Sequence, residues 1–307
     1  MQKRVGINKK IVTIVLLAGS ISSCRFYFDT TTDALTIDET SRSLENGKNL
    51  AYNVCGSCHY DPKVNRFIGK PLNDLPKIGG KLYSANLTHS SAHGRPGQYS
   101  DAELFYLLKT GISKNGKFMP FMMRPMMADD DIKDIIAYLR SNDPAVAAYD
   151  TSVGKTHINF IGKTGIRFLT KPQPYHKGVT APDKKDSISN GRYLVGVIAC
   201  YHCHSKKVKG LDYLEPEKSK GYLQGGIKLK TPEGKKLRTP NLTPDQETGI
   251  GSFSIVDFTN AIKEGVDPSG GKLSPPMPKF KHLTESQVHA IYSYMKSLPP
   301  VHHKISK

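Results

Sequence analysis

The sequence predicts an all-α protein of two tandem domains joined by an irregular linker, and three observations carry that prediction. Apolar residues recur at three-to-four spacing in paired segments of the 307-residue chain. Six landmarks fall in the same order in both halves. No alternating apolar and polar run announces a sheet. The first two landmarks are Asn46-Gly47 and, after Leu50, Cys55-Gly56-Ser57-Cys58-His59, matched by Asn190-Gly191 and, after Leu194, Cys200-Tyr201-His202-Cys203-His204. Asn86-Leu87-Thr88 then recurs as Asn241-Leu242-Thr243, and Leu108 to Ile112 as Ile262 to Val266. Met119-Pro120 recurs as Met277-Pro278, and Ala137 to Ser141 as Ser293 to Ser297.

The N-terminus reads as an address. Lys3, Arg4, Lys9 and Lys10 precede Ile11–Gly19, a short apolar stretch that suits the core of a signal peptide and is too short to span a bilayer. It closes on Ile21-Ser22-Ser23-Cys24, which resembles a bacterial lipobox: cleavage before Cys24, acylation of Cys24, and lipid anchoring of an exported chain. An uncut signal anchor and a plain secretory signal are the alternatives. Residues 1–23 are thus read as signal and 24–41 as a tether. The folded part is expected in the periplasm.

The first domain is set at 42–145. Its helices are expected over 44–54, over Asp101–Thr110 with Gly111 as the stop, and over Asp129–Arg140 ahead of Pro144. Residues 146–185, rich in Gly, Pro, Lys and Thr, form the linker, with an apolar docking patch at Ile158–Phe160 and Phe168–Leu169. The second domain, 186–302, repeats the pattern. Helices are expected over 187–199, over Ser254–Glu264 stopped by Gly265, and over Thr284–Leu298 before Pro299. Gly47 and Gly191 are expected to let the first helix of each domain approach the last, under Tyr138 and Tyr294.

Composition excludes more than it assigns. No apolar run reaches the ~20 residues of a spanning helix, so a polytopic membrane protein is excluded. The net charge of +17 invites a nucleic-acid reading, but the basic residues are scattered and carry no recognition motif. Between His204 and Pro240, ten Lys or Arg face four acids. That stretch reads as a docking surface for an acidic partner, or as a solvated face beside anionic phospholipid.

Cys-x-x-Cys-His carries the chemistry. On a helix it sets two thiols one turn apart with an imidazole beside the second. Two thiols can add across the vinyl groups of a haem, and the histidine can then reach the iron; this is the c-type haem attachment signature. The rivals fit less well. A thioredoxin-like pair needs a preceding strand, a zinc site needs four converging ligands, and a disulfide at this spacing is strained. Two haems are therefore expected, on Cys55, Cys58 and His59 and on Cys200, Cys203 and His204. A soft thioether suits the sixth position. In the second domain Met277, flanked by prolines ahead of the last helix, is the choice. In the first, Met119 is preferred because Met119-Pro120 matches Met277-Pro278, with Met122 the alternative in a crowded methionine segment. His89, His93 and His202 are expected to be solvated or to support the ligands from behind.

Together these landmarks resemble tandem class I cytochrome c domains, most closely the cytochrome subunits of membrane-bound bacterial alcohol and gluconate dehydrogenases. The pattern Asn-Leu-Thr-Pro-Asp…Thr-Gly-Ile-Gly of that family is complete at Asn241–Asp245 and Thr248–Gly251, and degraded after Thr88. Those subunits usually carry three haems, so this chain is a two-haem relative. The resemblance implies electron transfer without substrate chemistry. A dehydrogenase or quinol-oxidising complex would be the donor, and an oxidase or another cytochrome the acceptor. A two-haem peroxidase is the rival, and it would need one open distal site.

Overall fold

The computed structural model describes residues 28, 30, 32, 34–37, 40–73, 77–231 and 233–305. Cys24 and the signal segment lie outside the described residues.

The first repeat starts with α1 (Ser41–Leu50), capped by the Thr40 hydroxyl, which accepts from Ser43 N. The helix then widens into a π-helical turn over Ala51–Cys55 and ends as α2 (Gly56–His59). After β1 (Gly80–Lys81) comes α3 (Asp101–Thr110), opened by a Ser100/Glu103 capping box and stopped by Gly111 at φ +77°. A left-handed stop of this kind favours glycine. The repeat closes with α4 (Asp129–Arg140). Its capping residue is Ala128, so no side chain caps it; three aspartates in the first turn face the positive end of the helix instead.

The linker is less irregular than the sequence predicts. β2 (His157–Ile158) pairs antiparallel with β1, and α5 spans Phe160–Leu169. The second repeat contains α6 (Ser187–Ile198), α7 (Cys200–His204), and an antiparallel hairpin of β3 (Lys228–Lys230) and β4 (Lys236–Arg238). It continues through α8 (Ile255–Thr259) with a π-helical extension over Asn260–Glu264, stopped by Gly265 at φ +68°, and ends in α9 (Glu285–Ser297). The two short ribbons modify the all-helical expectation without displacing it. No described helix is long and apolar enough to cross a membrane.

Each repeat is built on one crossing. α1 packs against α4, and α6 against α9. A Cβ on Gly47 would lie 1.9 Å from the Asp134 carbonyl oxygen, and one on Gly191 2.0 Å from that of Ala290. The helix backbones are therefore in contact, with Tyr138 and Tyr294 buried beside the glycines. One core gathers Phe67, Phe105, Met127, Ile132 and Ile136; the other gathers Leu223, Phe258, Leu283, Ile291 and Met295. They are not independent, because Tyr193 and Val197 of α6 belong to the first core. The Tyr193 hydroxyl donates to Asp131 and accepts from Ala128 N. On the far side, Tyr52 stacks on His282 at 3.8 Å, and Asn49 bonds both His282 O and the Gln287 side chain.

Candidate haem-attachment sites

The two Cys-x-x-Cys-His segments reach the same arrangement by different backbones. In the first, the chain runs from α1 through the π-helical turn into α2 without a break. In the second, Ala199 takes a left-handed conformation, φ +66°, and ends α6 before α7 begins at Cys200. Both histidines are buried. His59 Nδ1 lies 2.8 Å from Ala85 O, and His204 Nδ1 lies 3.0 Å from Pro240 O. A carbonyl only accepts, so Nδ1 carries the proton and Nε2 keeps the lone pair that can bind iron. Burial also lowers both imidazole pKa values, which favours the neutral, ligating form.

The thiols separate the candidate chemistries. Burial pushes Cys55 up to about 11 and Cys200 up to about 12. A redox or metal-binding cysteine needs the opposite, a lowered value that yields thiolate near neutrality. No cluster of three or more His, Cys, Asp or Glu side chains that could hold a metal ion occurs among the described residues. Two buried polar atoms without a partner lie beside the motifs, Asn53 Oδ1 and Ser205 Oγ.

Met277 is half-buried and packs on the second core. Met119 starts the 3-10 turn Pro120–Met122 with its side chain 41% exposed, while Met122 is half-buried against the first core. Met123 and Met127 are fully buried, as core residues are. Both methionine loops are tied down in the same way, by a lysine at the end of the preceding helix. Lys109 Nζ, at the end of α3, donates to Met127 O at 2.6 Å and pairs with Asp129 at 2.7 Å. Lys263 Nζ donates to Leu283 O at 2.9 Å. Each lysine thus bridges from the end of one helix to the carbonyl two residues before the last helix, closing the loop that holds the methionine. Read as sequence, these lysines were only landmarks; their i-to-glycine position before a shared stop was the available signal.

Asn86 and Asn241 do the equivalent job over the histidine-supporting segments. Each Oδ1 accepts from the backbone and hydroxyl of the threonine two residues on, Thr88 or Thr243. Asn86 Nδ2 donates to Tyr149 O at 3.0 Å, and Asn241 Nδ2 to Val301 O at 2.8 Å. Both amides are buried and committed, so Asn-Leu-Thr acts here as a folding element. His89 Nε2 meets Leu139 O at 2.8 Å, and His93 is exposed. His202 sits against Tyr201 and Tyr213, and burial lowers its pKa to about 3.

Arg124 links the motifs. Its Nε donates to Val197 O, and it interacts electrostatically with Cys55 and Cys58 on one side and with Tyr201 and Tyr213 on the other. Through Val197, Arg124 ties the methionine segment of the first repeat to the helix that precedes Cys200.

Comparison with known proteins finds cytochrome c-type relatives. Residues 188–299 match the cytochrome c family model, and residues 42–139 match that of cytochrome c oxidase, cbb3-type, subunit III. The chain is similar to the fructose dehydrogenase cytochrome subunit of Gluconobacter japonicus, 26% identical over 94% of this chain and 58% of the relative. It is 28% identical to the alcohol dehydrogenase (quinone) cytochrome c subunit of Gluconacetobacter polyoxogenes, over 87% of this chain and 58% of that one. The gluconate 2-dehydrogenase cytochrome c subunit of Pantoea cypripedii is 36% identical over 37% of this chain and 24% of its own length. The chain thus spans a little over half the length of the first two relatives. Each half thus matches a cytochrome c-type family model, and domains of that kind imply covalently bound haem. The donor set fits that group: two thiols, a neutral imidazole with Nδ1 engaged, and a loop-borne thioether.

Proposed function

We propose that this protein is a two-haem electron relay, taking electrons from a dehydrogenase or quinol-oxidising complex and passing them to an oxidase or another cytochrome. The observation that carries the reading is the pair of buried histidines, each with Nδ1 held on a carbonyl and Nε2 left to bind iron. When bound, each haem supplies one reversible single-electron couple. Cys55, Cys58, Cys200 and Cys203 form the thioethers. His59 and His204 are the proximal ligands, with Met119 and Met277 distal. Ala85 O and Pro240 O fix the tautomer and orientation of the imidazoles. Arg124, bonded to Val197 O ahead of the second motif and interacting electrostatically with Cys55 and Cys58, would place one positive charge near both haems. The dehydrogenase partner is supported by the fructose, alcohol and gluconate dehydrogenase relatives, each of which is a cytochrome subunit. Those relatives lend the peroxidase reading no support. Acylation of Cys24 would hold the relay at the periplasmic face of a membrane.

Haem-stained denaturing gels and pyridine haemochrome spectra test the core of this reading. Cys55→Ala or Cys200→Ala should each leave one covalent haem of two. Full haem content in both variants would overturn the attachment assignment. Cys24→Ser should move the protein from the membrane fraction to the soluble exported fraction with haem content unchanged.

A further inference from the structure

The linker helix α5 turns a band of large apolar side chains toward solvent. Phe160 is 73% exposed and Phe168 67%, with Ile161 and Leu169 exposed beside them. Phe160, Ile161, Thr164, Gly165 and Phe168 stand at i, i+1, i+4, i+5 and i+8, so they share one face of the helix. A Cβ on Gly165 would meet nothing within 4 Å. The docking patch expected in the linker is therefore only half docked.

The opposite face is fixed. A Cβ on Gly162 would lie 2.2 Å from Gly79 O, so α5 rests directly on the backbone of residues 77–79. Asn159 caps α5 by accepting from Gly162 N at 2.9 Å, and its Nδ2 donates to Ile78 O at 2.8 Å. Ile78, on this supporting turn, is exposed as well. The apolar band is thus presented by a helix that cannot roll over and bury it.

Its surroundings are basic. Residues 151–182 contain Lys155, Lys163, Arg167, Lys171 and Lys177 and not one Asp or Glu. Lys163 and Arg167 lie on α5 and are exposed. Lys209, from the loop after His204, places its Nζ 3.9 Å above the centre of the Phe168 ring. Aromatic and aliphatic side chains edged by cations, on a helix without acids, match a surface of anionic phospholipid: the rings enter the headgroup layer while the ammonium groups stay with the phosphates.

We propose that α5 is an in-plane membrane-binding helix that seats the protein on anionic lipid through Phe160, Ile161, Phe168 and the cations around them. This contact is separate from any acyl chain on Cys24. It lies between the two cytochrome domains, so it would set the tilt of both relative to the bilayer, which a flexible tether cannot do.

The test uses the holoprotein carrying Cys24→Ser, sedimented with vesicles of phosphatidylcholine alone or mixed with phosphatidylglycerol. Binding to the mixed vesicles only, weakening as salt is raised, is expected. Phe160→Ser with Phe168→Ser should weaken it at least tenfold, since burying even one phenylalanine is worth that much. Lys163→Glu should weaken it too, and unchanged haem spectra would show that each variant is folded. No sedimentation with anionic vesicles, or undiminished binding by the double variant, overturns the proposal. If the double variant instead abolishes self-association in analytical ultracentrifugation, or co-purification of a protein partner, while vesicle binding persists, the face belongs to a protein and the lipid assignment falls.

Discussion

Arg124 Nε donates to the main-chain carbonyl of Val197 at 3.1 Å, joining the methionine loop of the first repeat to the helix that leads into Cys200. One cation therefore answers to both attachment motifs. Burial depresses its pKa, and the nearby cysteines and tyrosines oppose that shift.

Arg124→Gln should lower the midpoint potentials of both haems, because a nearby positive charge favours the electron-richer ferrous state. Removing a unit charge ~10 Å from a redox centre at an effective dielectric near 20 costs roughly 1.7 kcal/mol, or about 70 mV for one electron. Spectroelectrochemical titration reads both values at once. A shift confined to one haem would detach Arg124 from the other.

The distal ligands are tested by absorption. Met277→Ala should remove half of the weak red band of a sulfur–iron(III) bond and lower one potential. Met119→Ala should remove the other half, and Met122→Ala neither. A wild-type spectrum with one high-spin, peroxide-reactive haem would replace the relay by a peroxidase.

The two lysine clamps should differ in strength. Lys109→Met breaks a buried pair and strands the Asp129 carboxylate and Met127 O, so a loss of about 3–5 kcal/mol is expected. Lys263 is only half-buried and gives up a single hydrogen bond, so Lys263→Met should cost about 1 kcal/mol. Guanidinium unfolding followed by haem absorption and by circular dichroism measures both. Equal losses would mean that the clamps are not distinguished by burial.

Acid stability has a named contributor. Burial raises the Asp143 carboxyl, but hydrogen bonds from Lys48, Ala145 N and Tyr138 outweigh that and hold it below its ordinary 3.8. A carboxylate with a depressed folded value contributes stability that is complete above 3.8 and lost as pH falls through the folded value. Asp143→Asn should therefore flatten the acid limb of the stability profile below about pH 4 and leave its neutral slope unchanged. An unaltered acid limb would show that the contribution comes from elsewhere.

Local chemistry made much of this fold legible. Glycine stops after Thr110 and Glu264, capping residues at Ser100 and Thr284, and apolar spacing around Leu50 and Leu194 act within a turn or two of chain, so they read directly. The β3–β4 hairpin is also written in the chain, as Lys-Leu-Lys and Lys-Leu-Arg flanking Thr-Pro-Glu-Gly-Lys, but three-residue strands are too short for alternation to stand out. α5 was hidden because Gly162 and Gly165 weaken its helix propensity, and its support on Gly79 is tertiary. In the proposed site, the attachment and proximal residues are read from spacing alone. The Ala85 and Pro240 carbonyls, the lysine clamps and Arg124 do not, since their partners lie 18 to 73 residues away.

The sharing of α6 between the two cores has a consequence for how the molecule comes apart. Duplication commonly leaves modules that can be cut loose and still stand, like links of a chain. Here the second copy inserts Tyr193 and Val197 into the first, and the first returns Asn49 and Tyr52 to the loop before α9. Excising either copy would open a hole in the other. A protease nick in the linker should accordingly leave both fragments travelling together, and a calorimeter should record one melting peak where a pair of independent modules would give two. The repeat survives as a pattern in the sequence; as a physical object the protein has become a single piece.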